Sequence, residues 1–542
     1  MEYIRSCIWG AEDTKHLAKL QWSVFGIITF ILTSAIILYI ADLNISFSEK
    51  NAHHVEASTH IDVSSFGAVG DGRTDDTKAL QEAARQHGII SLESGKTYLI
   101  SSTIELNPAI AKGIQGNNAK ILLDADLPAF HLKGNKTDGG ARPTENVGLE
   151  DEFSFVIDSL HVFSRDHRGT ALILDGSFGV IVTKSHFYNL KKGIELINKN
   201  RNVIISENHL WNLAEYGIHY NNANVHQSIL TNNHISYAEI ALFFENGDVH
   251  NTQIMGNDIE VGYLKNNDTR SAIQVVCDKP KTQFSQSQIV GNSIEDHFLA
   301  KEGIINFYSK TFGPSSADSN LAPYVGMIEI MGNELSGSSK ALVLENINDI
   351  TINSNTFKLI SEVFISIFTG GEGINMSGNI FSGREGKNYG GKILHVEGAK
   401  AGINSTLRFL NFNNNTSYNL TENPISIMRK PGLTANFKIS EINISNNTFG
   451  SATKKEDATK LTGYIIDIDV PHVSGATITA NIIKGSSINE NGFRLVSKTN
   501  DHIIIKDNMI SGLIARNGSP PTVYELPSHN GKSVIVKDNI SE

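Results

Sequence analysis

A chain of 542 residues exceeds the about 250–300 residues that one hydrophobic core holds, so it forms several domains or one elongated repeat. Hydrophobic residues at 40% and charged residues at 19% exclude a disordered chain. A net charge of −11 speaks against nucleic acid as partner, and two cysteines, Cys7 and Cys277, exclude a disulfide framework and a cysteine zinc site.

The first element is an uncharged apolar run of 18 residues over 24–41 (VFGIITFILTSAIILYIA). As a helix it rises roughly 27 Å, enough with its flanks to cross a bilayer core of about 30 Å. Trp22 and Tyr39 stand near its ends, and Arg5, Lys15 and Lys19 precede it. The amino end is therefore expected in the cytoplasm and the rest of the chain outside. No clear small-x-small cleavage site follows, which favours an uncleaved anchor over a signal peptide. The expected organisation is a cytoplasmic tail over 1–23, an anchor over 24–41, a polar linker over 42–60 and one domain over 61–542, periplasmic or extracellular.

The domain opens with DVSSFGAVGDGRTDDTKALQEAA (62–84). Thr74 or Asp75 is the expected cap of a helix that starts near Asp76 and ends at Gly88, with Leu80, Ala83 and Ala84 on its apolar face. Such a helix plugs the first rung of a solenoid, whose end otherwise exposes strand edges.

Behind it a phrase recurs: SENHL (206–210), TNNHI (231–235), GNDI (256–259), GNSI (291–294), GNEL (332–335), SNTF (354–357), GNIF (378–381), SNNTF (445–449), ANII (480–483), DNMI (507–510) and DNI (538–540). NNNT (413–416) is a looser copy, and in KSHF (184–187) His186 stands where the asparagine would be. Each unit reads as short alternating strands joined at a turn. Asparagine suits that turn because it tolerates left-handed backbone. Asparagines at the same corner of every coil stack as a ladder, which only a parallel β-helix provides. Roughly 13 to 15 coils at about 4.8 Å give a rod on the order of 65 Å. A β-propeller is disfavoured by the short spacings and by the absence of any Trp-Asp pair.

The opening stretch resembles that of the pectate-lyase-like superfamily, which includes polygalacturonases, rhamnogalacturonase-like proteins and phage tailspikes. Phe66, Gly67, Ala68, Gly70, Asp71, Gly72, Thr74, Asp75, Asp76 and the ALQEA helix carry the match. The resemblance implies an all-β fold, a right-handed parallel β-helix with a short N-terminal capping helix, here preceded by one transmembrane helix. It makes polysaccharide the expected ligand. The Asn-Thr-Asp, Gly-His-Gly and Arg-Ile-Lys motifs of polygalacturonases are missing, so no catalytic residue carries over from them.

The remaining route to a site is geometric. Aligning ALILDG (171–176), GIELIN (193–198), GIHYNN (217–222), ALFFEN (241–246), AIQVVC (272–277), IINFYS (304–309) and ALVLEN (341–346) by their apolar positions sends alternate residues outward. One outward row is Ile173, Glu195, His219, Phe243, Gln274, Asn306 and Val343. A second is Asp175, Ile197, Asn221, Glu245, Val276, Tyr308 and Glu345. Asp175, Glu195 and His219 are the catalytic candidates, as a carboxylate pair spaced for an inverting glycosidase or as a carboxylate–histidine acid–base pair. Asn221, Phe243, Glu245, Gln274 and Tyr308 are substrate-binding candidates, with Arg168 and Arg270 beside the face for a uronate carboxylate. No cofactor is firmly implied; Asp175, Glu195 and Glu245 are the acids available for calcium. The loop 309–324 is long enough to wall a cleft.

The expectation is a membrane-anchored extracytoplasmic protein acting on polysaccharide as lyase, hydrolase or epimerase. The alternative is a non-catalytic polysaccharide-binding or scaffold protein. The last coil, KSVIVKDNISE (532–542), has no evident cap, which points to self-association.

Overall fold

Short runs of alternating apolar residues, each cut by a residue with left-handed backbone, wind the chain into stacked coils. The computed structural model describes residues 59–134, 155–261, 270–296, 300, 302–311, 322–384, 389–398, 405–420, 424–428, 437–450, 464–484, 491–497, 499–511, 524–525 and 534–541. The expected anchor (24–41) lies outside the described residues, as does most of the loop 309–324. Among the described residues no helix is long and apolar enough to cross a membrane.

Strands fall into three columns that pair in parallel from coil to coil. The first sheet runs through Thr170–Asp175, Lys192–Ile197, Tyr216–Asn221, Ile240–Glu245, Ser271–Cys277 and Ile305–Ser309. The second includes Lys199–Ser206, Asn224–Thr231, Asp248–Met255 and Gln283–Val290. The third includes His186–Tyr188, His209–Trp211, His234–Ser236 and Asp258–Val261. Two continuous strands, Glu334–Asn353 and Thr356–Ser377, each carry a coil through bent register. The result is the parallel β-helix expected from the repeats.

Inward positions stack like on like. Ile194, Ile218, Leu242, Ile273 and Ile305 form one buried column, and Phe357, Phe381, Phe412 and Phe449 another. The rings of Phe357 and Phe381 lie 5.0 Å apart and 7° from parallel.

The asparagine ladder is present from Asn208 to Asn539. Asn355 shows its chemistry. Its backbone N–H and its Nδ2 both donate to Asn379 Oδ1 (3.0 and 3.1 Å), and Nδ2 also donates to Ile330 O at 2.9 Å. Its own Oδ1 accepts from Asn333 N and Nδ2, each at 2.9 Å. Asn415, from the looser copy, is a full member.

Three local expectations are corrected. His186 does not replace a ladder asparagine; Ser185 does, receiving Leu160 N–H on its Oγ and giving its N–H to Asn208 Oδ1. The left-handed residue is not the ladder asparagine but the one before it, such as Asn232 (φ 55°), Gly256 (φ 63°) or Asp507 (φ 56°). That explains the Gly-Asn, Asn-Asn and Asp-Asn pairs, since these residue types tolerate that backbone best. The helix spans Thr77–Ala84 after Asp76, whose carboxylate accepts Val69 and Gly70 N–H, while Asp75 Oδ1, one of the two expected caps, accepts Thr77 N–H. It ends at Arg85, and Gly88 opens the next strand.

Beside the ladder runs a column of imidazoles. His161, His186, His209 and His234 are register partners, followed by Asp258. The rings of His186 and His209, and of His209 and His234, stack at 4.6 Å. Burial, then His209, His161 and Lys120, lower the His186 pKa to about 4.

Two predictions follow from these columns. Asn355→Ala leaves the buried Asn333 N–H without its acceptor, at about 1–3 kcal/mol, and removes the amide donor from Ile330 O; a clear drop in thermal midpoint is expected, and an unchanged midpoint would deny the ladder its role. Between pH 6.5 and 4 the fold binds fewer protons at His186 than the unfolded chain does, so stability falls as pH falls. His186→Phe is expected to flatten that loss in thermal unfolding scans.

Candidate functional site

The first sheet aligns the outward row in the expected register. Glu195 lies opposite His219, His219 opposite Phe243, Phe243 opposite Gln274, Gln274 opposite Asn306 and Asn306 opposite Val343. The row extends beyond the predicted segment. Glu105 and His131 precede Ile173, which lies opposite Glu195, and Ser366, His395, Ser426, Asp467 and Arg494 follow Val343. Small or apolar partners on the inward positions let these strands stack flat. Outward polar side chains therefore repeat at the rung spacing of about 4.8 Å.

At its centre His219 sits between two carboxylates. Nε2 lies 3.0 Å from Glu245 Oε2 in a hydrogen bond, and Nδ1 lies 3.3 Å from Glu195 Oε1 without forming one. Phe243 stacks on the imidazole at 5.0 Å and 5°, and Tyr216 packs beside both rings. Glu195 Oε1 also accepts Lys192 Nζ at 2.7 Å and Asn221 Nδ2 at 3.0 Å. Burial opposes its ionisation, but His219, Lys192 and Asn221 prevail and hold its pKa at about 2. Glu195 is thus a fixed anion. His219, with a side chain 3% exposed, lies beneath the surface; Glu245, at 36%, is the member of the trio that faces solvent.

Asp175 belongs to an adjoining group. Its Oδ1 accepts Asn198 Nδ2 at 2.7 Å, and its Oδ2 lies 3.0 Å from His131 Nε2, whose other ring nitrogen faces Glu105. Farther along, Glu302 gathers three partners. Arg270 donates Nε to Oε1 (3.1 Å) and Nη2 to Oε2 (3.3 Å), while Gln274 Nε2 and Asn306 Nδ2 donate to Oε2. Arg270 is therefore neutralised, and Arg168 is paired with Asp166 in an exposed contact. Tyr308 is half-buried on the second row, opposite Val276 and Glu345. Phe243 faces outward but is buried. Asp175, Glu195 and Glu245 do not assemble a donor group for calcium; among the described residues the carboxylate and imidazole groups tight enough for a metal lie on the other two sheets.

Reading the sequence missed His131, Lys192, Tyr216 and Glu302. AFHLK (129–133) carries the same alternation as ALILD, so His131 was open to the alignment. Glu302 precedes its strand and shows no period.

Residues 94–269 match the model of the NosD family, described as periplasmic copper-binding protein. The expected likeness to the pectate-lyase-like superfamily is borne out in the fold. The catalytic unit of a thermostable GH87 alpha-1,3-glucanase from Streptomyces thermodiastaticus strain HF3-3 is 14% identical, with 73% of this chain and 70% of that chain covered and a TM-score of 0.46. The tailspike protein of E. coli bacteriophage HK620, in complex with a pentasaccharide, is 13% identical, with 86% and 78% covered and a TM-score of 0.44. No curated protein sequence matches the chain.

The low Glu195 pKa has a measurable consequence. A carboxyl depressed by folding contributes stability above its unfolded value near 4.5 and loses it as pH falls toward 2. Glu195→Gln is expected to lower the thermal midpoint at pH 7, with the gap to wild type closing below pH 4.5. A gap that ignores pH would show that Glu195 is not held as an anion.

Proposed function

We propose that the first sheet is a polysaccharide-binding face and that Glu245, oriented by His219, is its acid–base group. The observation that carries this reading is the trio itself: one solvent-facing carboxylate hydrogen-bonded to an imidazole that a second, buried carboxylate backs from behind. An imidazole so placed fixes the orientation of the carboxylate through its Nε2. Asn306 on the floor, with Tyr308 on the adjoining row, suits sugar hydroxyls and ring faces, whereas Gln274 is buried and donates to Glu302. The reactions open to such a pair are glycosidic hydrolysis, elimination at a uronate, or epimerisation.

A second reading, binding without turnover, is favoured by one observation. Glu195 and Asp175 are both tied up in hydrogen bonds, so neither serves as the second carboxylate of a glycosidase.

The two readings separate on a panel of neutral and acidic polysaccharides given to the full chain. The first expects shortened chains, unsaturated ends or altered epimer ratio, lost about 100-fold or more in Glu245→Gln while affinity stays within a few-fold. The second expects affinity without product. Absence of both binding and product would sink the polysaccharide reading.

We further infer that residues 24–41 anchor the chain in the cytoplasmic membrane in a single pass, with residues 61–542 outside. The description of the NosD family as periplasmic supports the extracytoplasmic placement.

A further inference from the structure

The second sheet carries a group of side chains that the polysaccharide face does not use. His226 and His250 are register partners on adjacent coils, and Asp248 lies two residues before His250 on the same strand. Each of these strands turns through a left-handed residue immediately after the histidine, Gln227 (φ 61°) and Asn251 (φ 55°). The bend gathers the three side chains at one corner. One donor atom from each lies within 4.8 Å of the others.

Two features separate this group from an ordinary surface cluster. First, Nε2 of His226 and Nε2 of His250 are buried without a hydrogen-bond partner, although a buried polar atom nearly always finds one. His250 Nε2 is 3.1 Å from Asp248 Oδ1 yet makes no hydrogen bond to it. That separation is close to the edge of a donor tetrahedron, about 3.3 Å for metal–donor bonds of about 2.0–2.1 Å. Second, the carboxylate is aimed from behind. Arg201 Nη2 donates to Asn224 Oδ1, so the Asn224 amide turns its Nδ2 to Asp248 Oδ2 at 2.8 Å. Ser285 Oγ donates to Gln283 Oε1, so the Gln283 amide turns its Nε2 to Asp248 Oδ1 at 2.7 Å. Arg201, which can only donate, fixes the Asn224 orientation, and both amides present N–H groups to the Asp248 carboxylate. Supporting hydrogen bonds of this kind accompany metal-ligating carboxylates.

We propose that His226, Asp248 and His250 form a binding site for a divalent first-row transition ion. Two imidazoles and one carboxylate suit Cu2+, Ni2+, Co2+ or Zn2+ and do not suit Ca2+ or Mg2+, which require mostly oxygen ligands. Three protein ligands leave room for water or a further ligand on the ion. Lys199 and Arg201 are the cations in the preceding coil. They oppose the ion's charge, and Arg201 is held by Asn200 O and the Asn224 acceptors.

The test is titration of the full chain, stripped with chelator, with Co2+ followed by its visible absorption, and with Zn2+, Cu2+ and Ca2+ by calorimetry. The expected result is one Co2+ per chain at this corner, displaced by Zn2+, with Cu2+ bound tightest and Ca2+ not at all. His226→Ala with His250→Ala is expected to weaken binding at least 10-fold, and Asp248→Asn to weaken it while keeping the fold by circular dichroism. His209→Ala, in the imidazole column of the third sheet, is expected to change nothing. Binding in wild type no tighter than in the double variant, or loss of the ion only with His209→Ala, overturns the proposal.

Discussion

Everything in this molecule depends on rung register, and the asparagine ladder is the interaction that holds it. A side-chain amide has the donors and acceptor to bond the coil before, the coil after and the backbone between. Each ladder asparagine uses these, so a coil cannot slip by one residue without stranding buried polar groups. Apolar stacking alone is forgiving, because leucine, isoleucine and valine pack against one another in many registers. The amide is not forgiving. It fixes where each turn falls, and through the turn it fixes which side chains of the next strand face out.

Fixed register converts sequence distance into vertical adjacency. Glu195, His219 and Glu245 are far apart in the chain, yet they meet because their coils return to the same wall. The same device assembles the imidazole column of the third sheet and the His226–His250 pair of the second. Three walls of one rod thus carry three different chemistries. Their proximity is inherited from the backbone, and each wall needs few further contacts to keep its groups together.

Electrostatics then differentiates residues that share a row. Glu195 and Glu245 flank one imidazole, but Lys192 and Asn221 reach only the first. It becomes a buried counter-charge, while the second stays at the surface with its lone pairs available. Asp175 meets His131 in the coil before rather than Glu195 in the coil after. Each of the two acids is thus held by partners of its own, although the spacing of the strands would have let them face each other.

The repeats, the opening helix and both outward rows were legible in the amino-acid string, because alternation of period two and a recurring Gly-Asn or Asn-Asn turn are one-dimensional signals. Even the slip at KSHF was small: serine can hold the ladder position with its hydroxyl, and the histidine beside it belongs to another column. What only the folded rod decided is which groups on a row are buried, paired or free. Phe243 faces outward yet is covered, Arg270 is spent on Glu302, and Glu245 is exposed where Glu195 is not. Periodicity says which way a side chain points; the partners waiting there come from other coils, at sequence distances set by loop lengths that carry no period.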